Sequence, residues 1–534
     1  MQSATTTVVR RCLSSLVPFG CFVAVLCGLL LTRQFLTDLG KDQTSYLFEA
    51  QRFLSGAEPY GPHLSETNPP LIIWFSTIPV LLARALPISP AVLFRCLILA
   101  MLLAILIWST AILRRSRNAV FDNRLALGLF ACAILLAGFE IGGYEFGQRE
   151  HLLILLVIPY ILAVGSGAAT TLPLAERCAL GVGAGLAVWF KPHDILILIA
   201  LELLLSLHSR SLRRIVAPEF LAFVLSAASI FALVLVATPL YCKQTVPLLF
   251  DTYWALGTST TLALALSQKL YTASAAGVLL VFLLVRKRLR NPILFLSLLV
   301  SSVAASVAFD LQHTEWRYHR YPQLALLILA IAYLPIDLFS PSLGRLASDT
   351  LRLRRLALAS ITLMAIVLVA VAARPGLLIP VPYRSELDHM LDRYAPSTTV
   401  AVFSTGVPAL ASAYDHHLNW GSRFAHLWMM PAILQNELGA LPAPAPFKRL
   451  SPETLARLSA LQRTESAEDL NYWQPSVVIF ERCHPANPCQ GIGNNTFSLL
   501  QWLLQGADFA EAFSHYEQRP SPFPSYYDLY VRVR

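Results

Sequence analysis

Residues 38–71 read DLGKDQTSYLFEAQRFLSGAEPYGPHLSETNPPL, and this stretch decides how the chain folds. It is a polar, acid-containing segment set directly after a first apolar run at residues 14–35. Connections between packed helices are short as a rule, so a loop of this length marks a segment with a task of its own. From Asp42 onward, Tyr46, the Phe48-Glu49-Ala50 run and Phe53-Leu54 recur at helical spacing, so residues 42–55 are expected as an amphipathic helix. An Asp at such a start can simply serve as an N-cap, which leaves its role open at this point. Asn68-Pro69-Pro70 forces extended backbone ahead of the next helix, because a residue before proline avoids the α region.

The rest of the chain says what this loop is attached to. Of 534 residues, 56% are hydrophobic and only 14% charged, with a mean hydropathy of +0.58. Soluble domains carry about 25% charge, so this is a polytopic membrane protein. Runs near 14–35, 88–113, 124–140, 152–169, 176–190, 193–208, 216–238, 270–285, 292–309, 321–339 and 355–373 make about eleven spans. The run 70–86 is apolar but short and bounded by prolines, and is expected to lie at the interface. The net charge of +9 comes from clusters at span ends, such as Arg114-Arg115-Arg117, Arg210-Arg213-Arg214 and Arg286-Lys287-Arg288-Arg290. These clusters fall on one side if the N-terminus is cytoplasmic and 70–86 does not cross. That distribution sets orientation in the bilayer and argues against nucleic acid as a partner. The first span lacks a small-residue cleavage site and is expected to stay as an anchor.

After Arg374 the composition turns polar and proline-rich, so residues 1–373 and 374–534 are expected as a membrane domain and an extracytoplasmic α/β domain. Residues 398–404, 475–481 and 526–532 read as strands, and 453–461 and 497–504 as helices. Outside the cytoplasm the Cys483/Cys489 spacing is compatible with a disulfide.

This orientation gathers the unusual polar clusters on the outer face. They are Asp42 and Glu66 in the loop 36–87; Glu145, Arg149, Glu150 and His151 in GYEFGQREHL (143–152); Lys191 and His193 around Pro192; and His313, Arg317, His319 and Arg320 in HTEWRYHRYP (313–322). Ionisable groups at membrane depth are costly and line cavities or pathways. Pro192 interrupts two short spans, and broken helices in membranes mark binding sites. Basic residues among aromatics in 313–322 fit either an interfacial anchor or a grip on lipid phosphate. An Arg149–Glu145 or Arg149–Glu150 pair would order its loop. No P-loop, GxGxxG or helix-based metal spacing is present, so no cofactor is expected, although His193, His313 and His319 leave a divalent metal open.

The loop spacing D-x-x-x-Y, with Gly56, Pro59-Tyr60 and Asn68-Pro69-Pro70, resembles the first extracytoplasmic loop of the GT-C superfamily of integral-membrane glycosyltransferases. The resemblance implies a helical membrane bundle in a bacterial inner membrane, with its C-terminal domain periplasmic. It also implies a polyprenyl-phosphate-sugar donor, a glycan, glycolipid or protein acceptor, inversion at the anomeric centre, and Asp42 as catalytic base. Glu145 and Glu150 are candidate second acids. Tyr46, Tyr60, Glu66, Asn68, Arg149, His151, Lys191, His193, His313, Arg317, His319 and Arg320 are candidate substrate contacts. Residues 420–431 (WGSRFAHLWMMP) look like outer-domain sequence of related bacterial proteins, with Trp420 and Trp428 candidate sugar-stacking residues. Gln43 stands where the protein O-mannosyltransferases have Glu, which favours glycolipid or polysaccharide acceptors over protein. Competing readings are a polysaccharide ligase or polymerase, and a lipid-glycan transporter or flippase. The first would place its large outer loop later in the chain; the second would show no acid requirement.

Overall fold

The computed structural model describes residue 35 and residues 39–116, 118–139, 146–257, 263, 266–313, 316–346, 386–406, 408–438, 448–489 and 495–533. Within them the expected amphipathic segment is helix α1 (Lys41–Leu54). The run after Pro70 is helix α2 (Leu71–Ala85), followed by α3 (Pro90–Arg115), α4 (Arg124–Phe139), α5 (Arg149–Gly165), α6 (Leu174–Phe190) and α7 (Ile195–Ser209). Next come α8 (Pro218–Ala237), α9 (Val246–Thr252), α10 (Lys269–Val285), α11 (Pro292–Leu311) and α12 (Tyr321–Leu346).

Every span expected between residues 88 and 339 coincides with one of these helices. The expected first and last spans, and the division at 373/374, lie outside the described residues. Among the described residues, six helical segments are long and apolar enough to cross a membrane. Helix α2 is not among them. Its 15 residues rise about 22 Å, short of a hydrocarbon core of about 30 Å, and Ile78, Leu81 and Leu82 remain exposed along it.

Lipid-facing and protein-facing helices are easy to tell apart. Helices α8 and α10 expose Leu225, Phe231, Val236, Leu280 and Leu284, as a lipid-facing surface requires. Helices α4, α5, α7, α11 and α12 bury Phe130, Tyr160, Leu201, Phe295 and Tyr333 in one core. Between α6 and α8 the backbones meet closely. A Cβ at Gly181 would strike the Glu219 carbonyl and one at Gly185 the Ser226 hydroxyl, so the Gly-x-x-x-Gly spacing is the condition for this crossing.

The C-terminal residues build a mixed sheet in the order β2-β1-β3-β6-β5, with β1 Thr399–Phe403, β2 Asn419–Trp420, β3 Val477–Cys483, β5 Tyr516–Arg519 and β6 Tyr527–Arg532. A short β4 (Phe497–Ser498) pairs with β3. Alternation is visible within the apolar runs. Val400, Val402, Val477 and Ile479 pack on one face, and Ala401, Phe403, Val478 and Phe480 on the other. The sheet is therefore covered on both sides, which is why its strands read as continuous hydrophobic runs. Two helix expectations are corrected. The helix expected at 453–461 runs over Pro452–Trp473, and 497–504 opens as β4 before a short helix at Leu499–Leu503. Cys483 and Cys489 form a disulfide. They are also members, with Glu481, of the single metal-competent cluster among the described residues, and their bonded sulfurs remove it from consideration.

This unit docks on the first loop through Arg52. Its guanidinium lies 4.4 Å from the Phe48 ring and 4.6 Å from the Trp473 ring, and it donates to the carbonyls of His63, Ser422 and Trp420. A bridge between Ser65 and Phe424 continues the seam, with Ser65 N donating to the Arg423 carbonyl at 3.0 Å.

Candidate active site

Where α1, the loop before α2, the start of α5 and the C-terminal unit meet, a cavity opens. Asp42, Ser45, Tyr46, Glu66, Thr67, Asn68, Arg149, Tyr253, Leu256, Trp316, Tyr318, Ala425 and His426 line it. Five of the sequence candidates are brought together here: Asp42, Tyr46, Glu66, Asn68 and Arg149.

Asp42 sits in the first turn of α1, yet the helix is capped at Gly40 without a side-chain bond. Its carboxylate instead accepts from Gln148 Nε2 at 2.7 Å. The capping explanation therefore fails and the carboxylate belongs to the cavity. Gln148 accepts in turn from the Tyr46 hydroxyl at 3.0 Å, and that hydroxyl accepts from Arg149 Nε at 3.2 Å. The sequence reading did not single out Gln148, although a signal was present in the preceding glycine. Gly147 has φ +89°, and a Cβ there would strike the Phe94 ring, so only glycine lets the chain turn and aim Gln148 back at the loop. Burial pushes the Asp42 carboxyl above its ordinary range, while the Gln148 hydrogen bond and the Arg149 charge draw it back.

Glu66 Oε1 accepts from the backbone of Thr67 and Asn68, both at 2.7 Å, and so holds its own turn. Beside it lies Glu49, a fully buried acid seven residues beyond Asp42 on the same helix face. Burial, and then the Glu66 charge, hold the Glu49 carboxyl well above its usual range. Tyr60 supports this turn from behind. At φ +65° it donates to the Asn68 carbonyl at 2.6 Å and packs 4.9 Å from the Tyr241 ring.

A second layer lies behind the cavity wall. Glu150 pairs with Lys191 in the gap that Pro192 opens between α6 and α7, and His319 Nε2 stands 3.6 Å from the same Glu150 oxygen. Lys191 lies 5.8 Å from the ring of Tyr318, which faces the cavity. Arg149 thus leaves Glu150 to Lys191 and turns its own Nε toward Tyr46. His151 is wholly buried; its Nδ1 accepts from Gly147 N at 3.0 Å and its Nε2 meets the Gly138 carbonyl at 2.6 Å. Both nitrogens are thereby committed to holding the turn.

The remaining candidates do not reach the cavity. Arg317 is exposed, and Arg320 lies over the Phe309 ring and donates to Ser267 Oγ at 3.0 Å. His193 is exposed on the short turn Pro192–Asp194. His313 lies in the turn after α11, at φ +52°. Glu145 lies outside the described residues. Trp420 and Trp428 are core residues at 3% exposure, with their indole nitrogens bonded to the Phe424 carbonyl and Ser65 Oγ. Between them, His426 is the side chain that faces the cavity.

Membrane helices gathered beneath an α/β unit, with an acid- and arginine-lined cavity at their junction, make up this fold. The structure is similar to that of ArnT from Cupriavidus metallidurans bound to undecaprenyl phosphate, with a TM-score of 0.55 and 13% sequence identity over 97% of this chain and 98% of that chain. No protein-family model matches the chain, and no curated protein sequence does.

Proposed function

We propose that this chain is a membrane glycosyltransferase that moves a sugar from a polyprenyl-phosphate donor to a glycolipid, polysaccharide or protein acceptor at the extracytoplasmic face. The reading carries with it an N-terminus in the cytoplasm and a periplasmic C-terminal domain in a bacterial inner membrane. One observation carries the proposal: Asp42, oriented by Gln148, and Arg149 face one another's side of a single cavity at the mouth of the membrane helices.

A phosphate-linked sugar already has a competent leaving group, so two tasks remain for the protein. Asp42 takes the proton of the acceptor hydroxyl as its oxygen bonds to the anomeric carbon. The bond from that carbon to the phosphate oxygen breaks, its electron pair stays on the phosphate, and Arg149 meets the charge that develops there. Single displacement of this kind inverts the anomeric centre. Among the cavity-lining residues Arg149 is the permanent cation, and a guanidinium presents the planar donors that phosphate takes best. The test is incubation of purified protein with radiolabelled undecaprenyl-phosphate-linked hexoses and pentoses and a lipid extract. Label should appear in a new product with wild type and be lost with Asp42→Asn. A wild-type protein that binds undecaprenyl phosphate but transfers nothing from any donor overturns the reading in favour of a carrier or flippase.

A further inference from the structure

The C-terminal α/β unit does more than cover the membrane helices. Its segment between β2 and Met430 reaches down onto the first loop and places Ala425 and His426 in the cavity wall. The segment is fixed with unusual firmness. Arg423 Nε donates to Asp469 Oδ1 at 2.7 Å and its backbone N to Asp469 Oδ2 at 2.8 Å, with Glu468 at 2.6 Å on the far nitrogen. Ser422 adds a 2.8 Å bond to Asp469, and the Ser65–Phe424 bridge ties the strand-like stretch to the loop that carries Glu66.

At the end of this braced segment, His426 Nδ1 is buried and has no hydrogen-bond partner among the described residues. Burial lowers its imidazole to about 4, with the Glu66 charge acting weakly against it, so the ring is neutral at physiological pH. A neutral imidazole keeps one nitrogen as donor and one as acceptor. A buried polar atom left unpaired is costly, and native proteins keep such atoms for a use. His426 and Glu66 line the same cavity, and the Glu66 charge acts on this ring.

We propose that His426 is a substrate-contacting residue supplied by the C-terminal domain, hydrogen-bonding a hydroxyl of the glycosyl portion of the reactants on the Glu66 side of the cavity. In the reading above, the phosphate is met by Arg149, which lines the same cavity. The C-terminal domain then completes the active site and takes part in choosing which sugar chemistry is accepted. This assignment rests on the transferase reading above.

The test compares wild type, His426→Ala and His426→Gln as full-length protein. Three quantities are read: affinity for undecaprenyl phosphate, sugar transfer from undecaprenyl-phosphate-linked hexoses and pentoses, and melting temperature. His426→Ala should leave undecaprenyl phosphate affinity within about two-fold and the melting temperature unchanged, because its Nδ1 has no hydrogen-bond partner among the described residues and Arg149 is the group assigned to the phosphate. Its kcat/KM for transfer should fall by about ten-fold or more. His426→Gln, which also offers a donor and an acceptor, should recover part of that loss. If wild type transfers from no donor, the transferase reading falls and this assignment falls with it. If wild type is active and His426→Ala transfers within three-fold of it, the His426 assignment alone is overturned. The assignment is likewise overturned if undecaprenyl phosphate affinity and melting temperature fall together in both variants, which would make the ring a structural one.

Discussion

Gln148 Nε2 lies 2.7 Å from Asp42 Oδ2, a bond that joins the first loop to the start of α5 across 106 residues of sequence. It orients the carboxylate proposed as base, and it favours the charged form of that carboxylate. Asp42→Asn keeps size and helix geometry but removes basicity. It should reduce transfer by about 10²–10⁴-fold with little change in melting temperature. Activity within a few-fold of wild type would return Asp42 to a structural role.

The same bond sets a pH dependence. If Asp42 is the base, transfer needs it ionised, and burial raises its pKa, so activity should fall on acidification at a pH above the ordinary Asp range. Gln148→Leu deletes a contact that lowers this pKa, so the acid limb of kcat/KM should move to higher pH. The maximal rate should drop about ten-fold, since a hydrogen bond to a charged group contributes roughly 1.5–3 kcal/mol. An acid limb that stays in place would mean that Gln148 does not act through Asp42.

Glu49 gives a stability test independent of catalysis. Its folded pKa lies well above the ordinary value of 4.5, so its contribution is complete below that pH and is lost progressively as pH rises toward the folded value. Wild type should therefore lose stability as pH rises above the ordinary carboxylate range, and Glu49→Gln should flatten that slope. Melting curves at both ends decide it. Parallel slopes in the two proteins would mean Glu49 is charged at neutral pH.

The reach of the sequence differed between parts of the molecule for physical reasons. Membrane helices announce themselves because the bilayer fixes their length and apolarity, so the helices from 88 to 339 were legible one by one, although six of the described helical segments have the length and apolarity to cross. The sheet faces were legible in β1 and β3, where apolar runs are continuous, but not in β5, whose Glu517, Gln518 and Arg519 lie exposed. In the site, Asp42, Tyr46, Glu66, Asn68 and Arg149 lie in stretches with strong local signals, namely a helix start, a proline pair and a glycine turn. His426 lies in the 420–431 stretch and Glu49 in the 42–55 helix, but nothing local marks either side chain as part of the site. Their place in or beside the cavity depends on a docking between residues hundreds of positions apart, and on burial that periodicity alone does not reveal. Arg317 and Arg320 show the converse: a vivid run of arginines and aromatics whose side chains point to an exposed surface and to Phe309.

The brace behind His426 should be energetically prominent. The Arg423 side chain is 5% exposed and that of Asp469 fully buried. Removing the guanidinium leaves a buried carboxylate without its partner, at a cost of roughly 3–5 kcal/mol. Arg423→Ala should lower the melting transition of the C-terminal domain and raise its protease sensitivity. The outcome expected of a mere surface ion pair is a change below about 1 kcal/mol.

The last expectation separates the cations. Arg149 lines the cavity, whereas Arg317 is exposed and Arg320 is engaged with Ser267 and Phe309. If Arg149 receives the leaving phosphate, Arg149→Ala should weaken undecaprenyl phosphate binding by about ten-fold or more, the loss of a charge-assisted contact. Arg149→Lys should restore only part of it, because a point charge does not reproduce the planar fork and cannot reach Tyr46 in the same way. Arg317→Ala should leave binding unchanged, and Arg320→Ala should lower detergent stability before it touches affinity. Lipid binding and melting temperature measured on these four variants distinguish the cases. Equal losses at Arg149 and Arg317 would place the phosphate nearer the aromatic run at 313–322 than at the mouth of α5, and Asp42 would then need a different partner for the charge it helps to create.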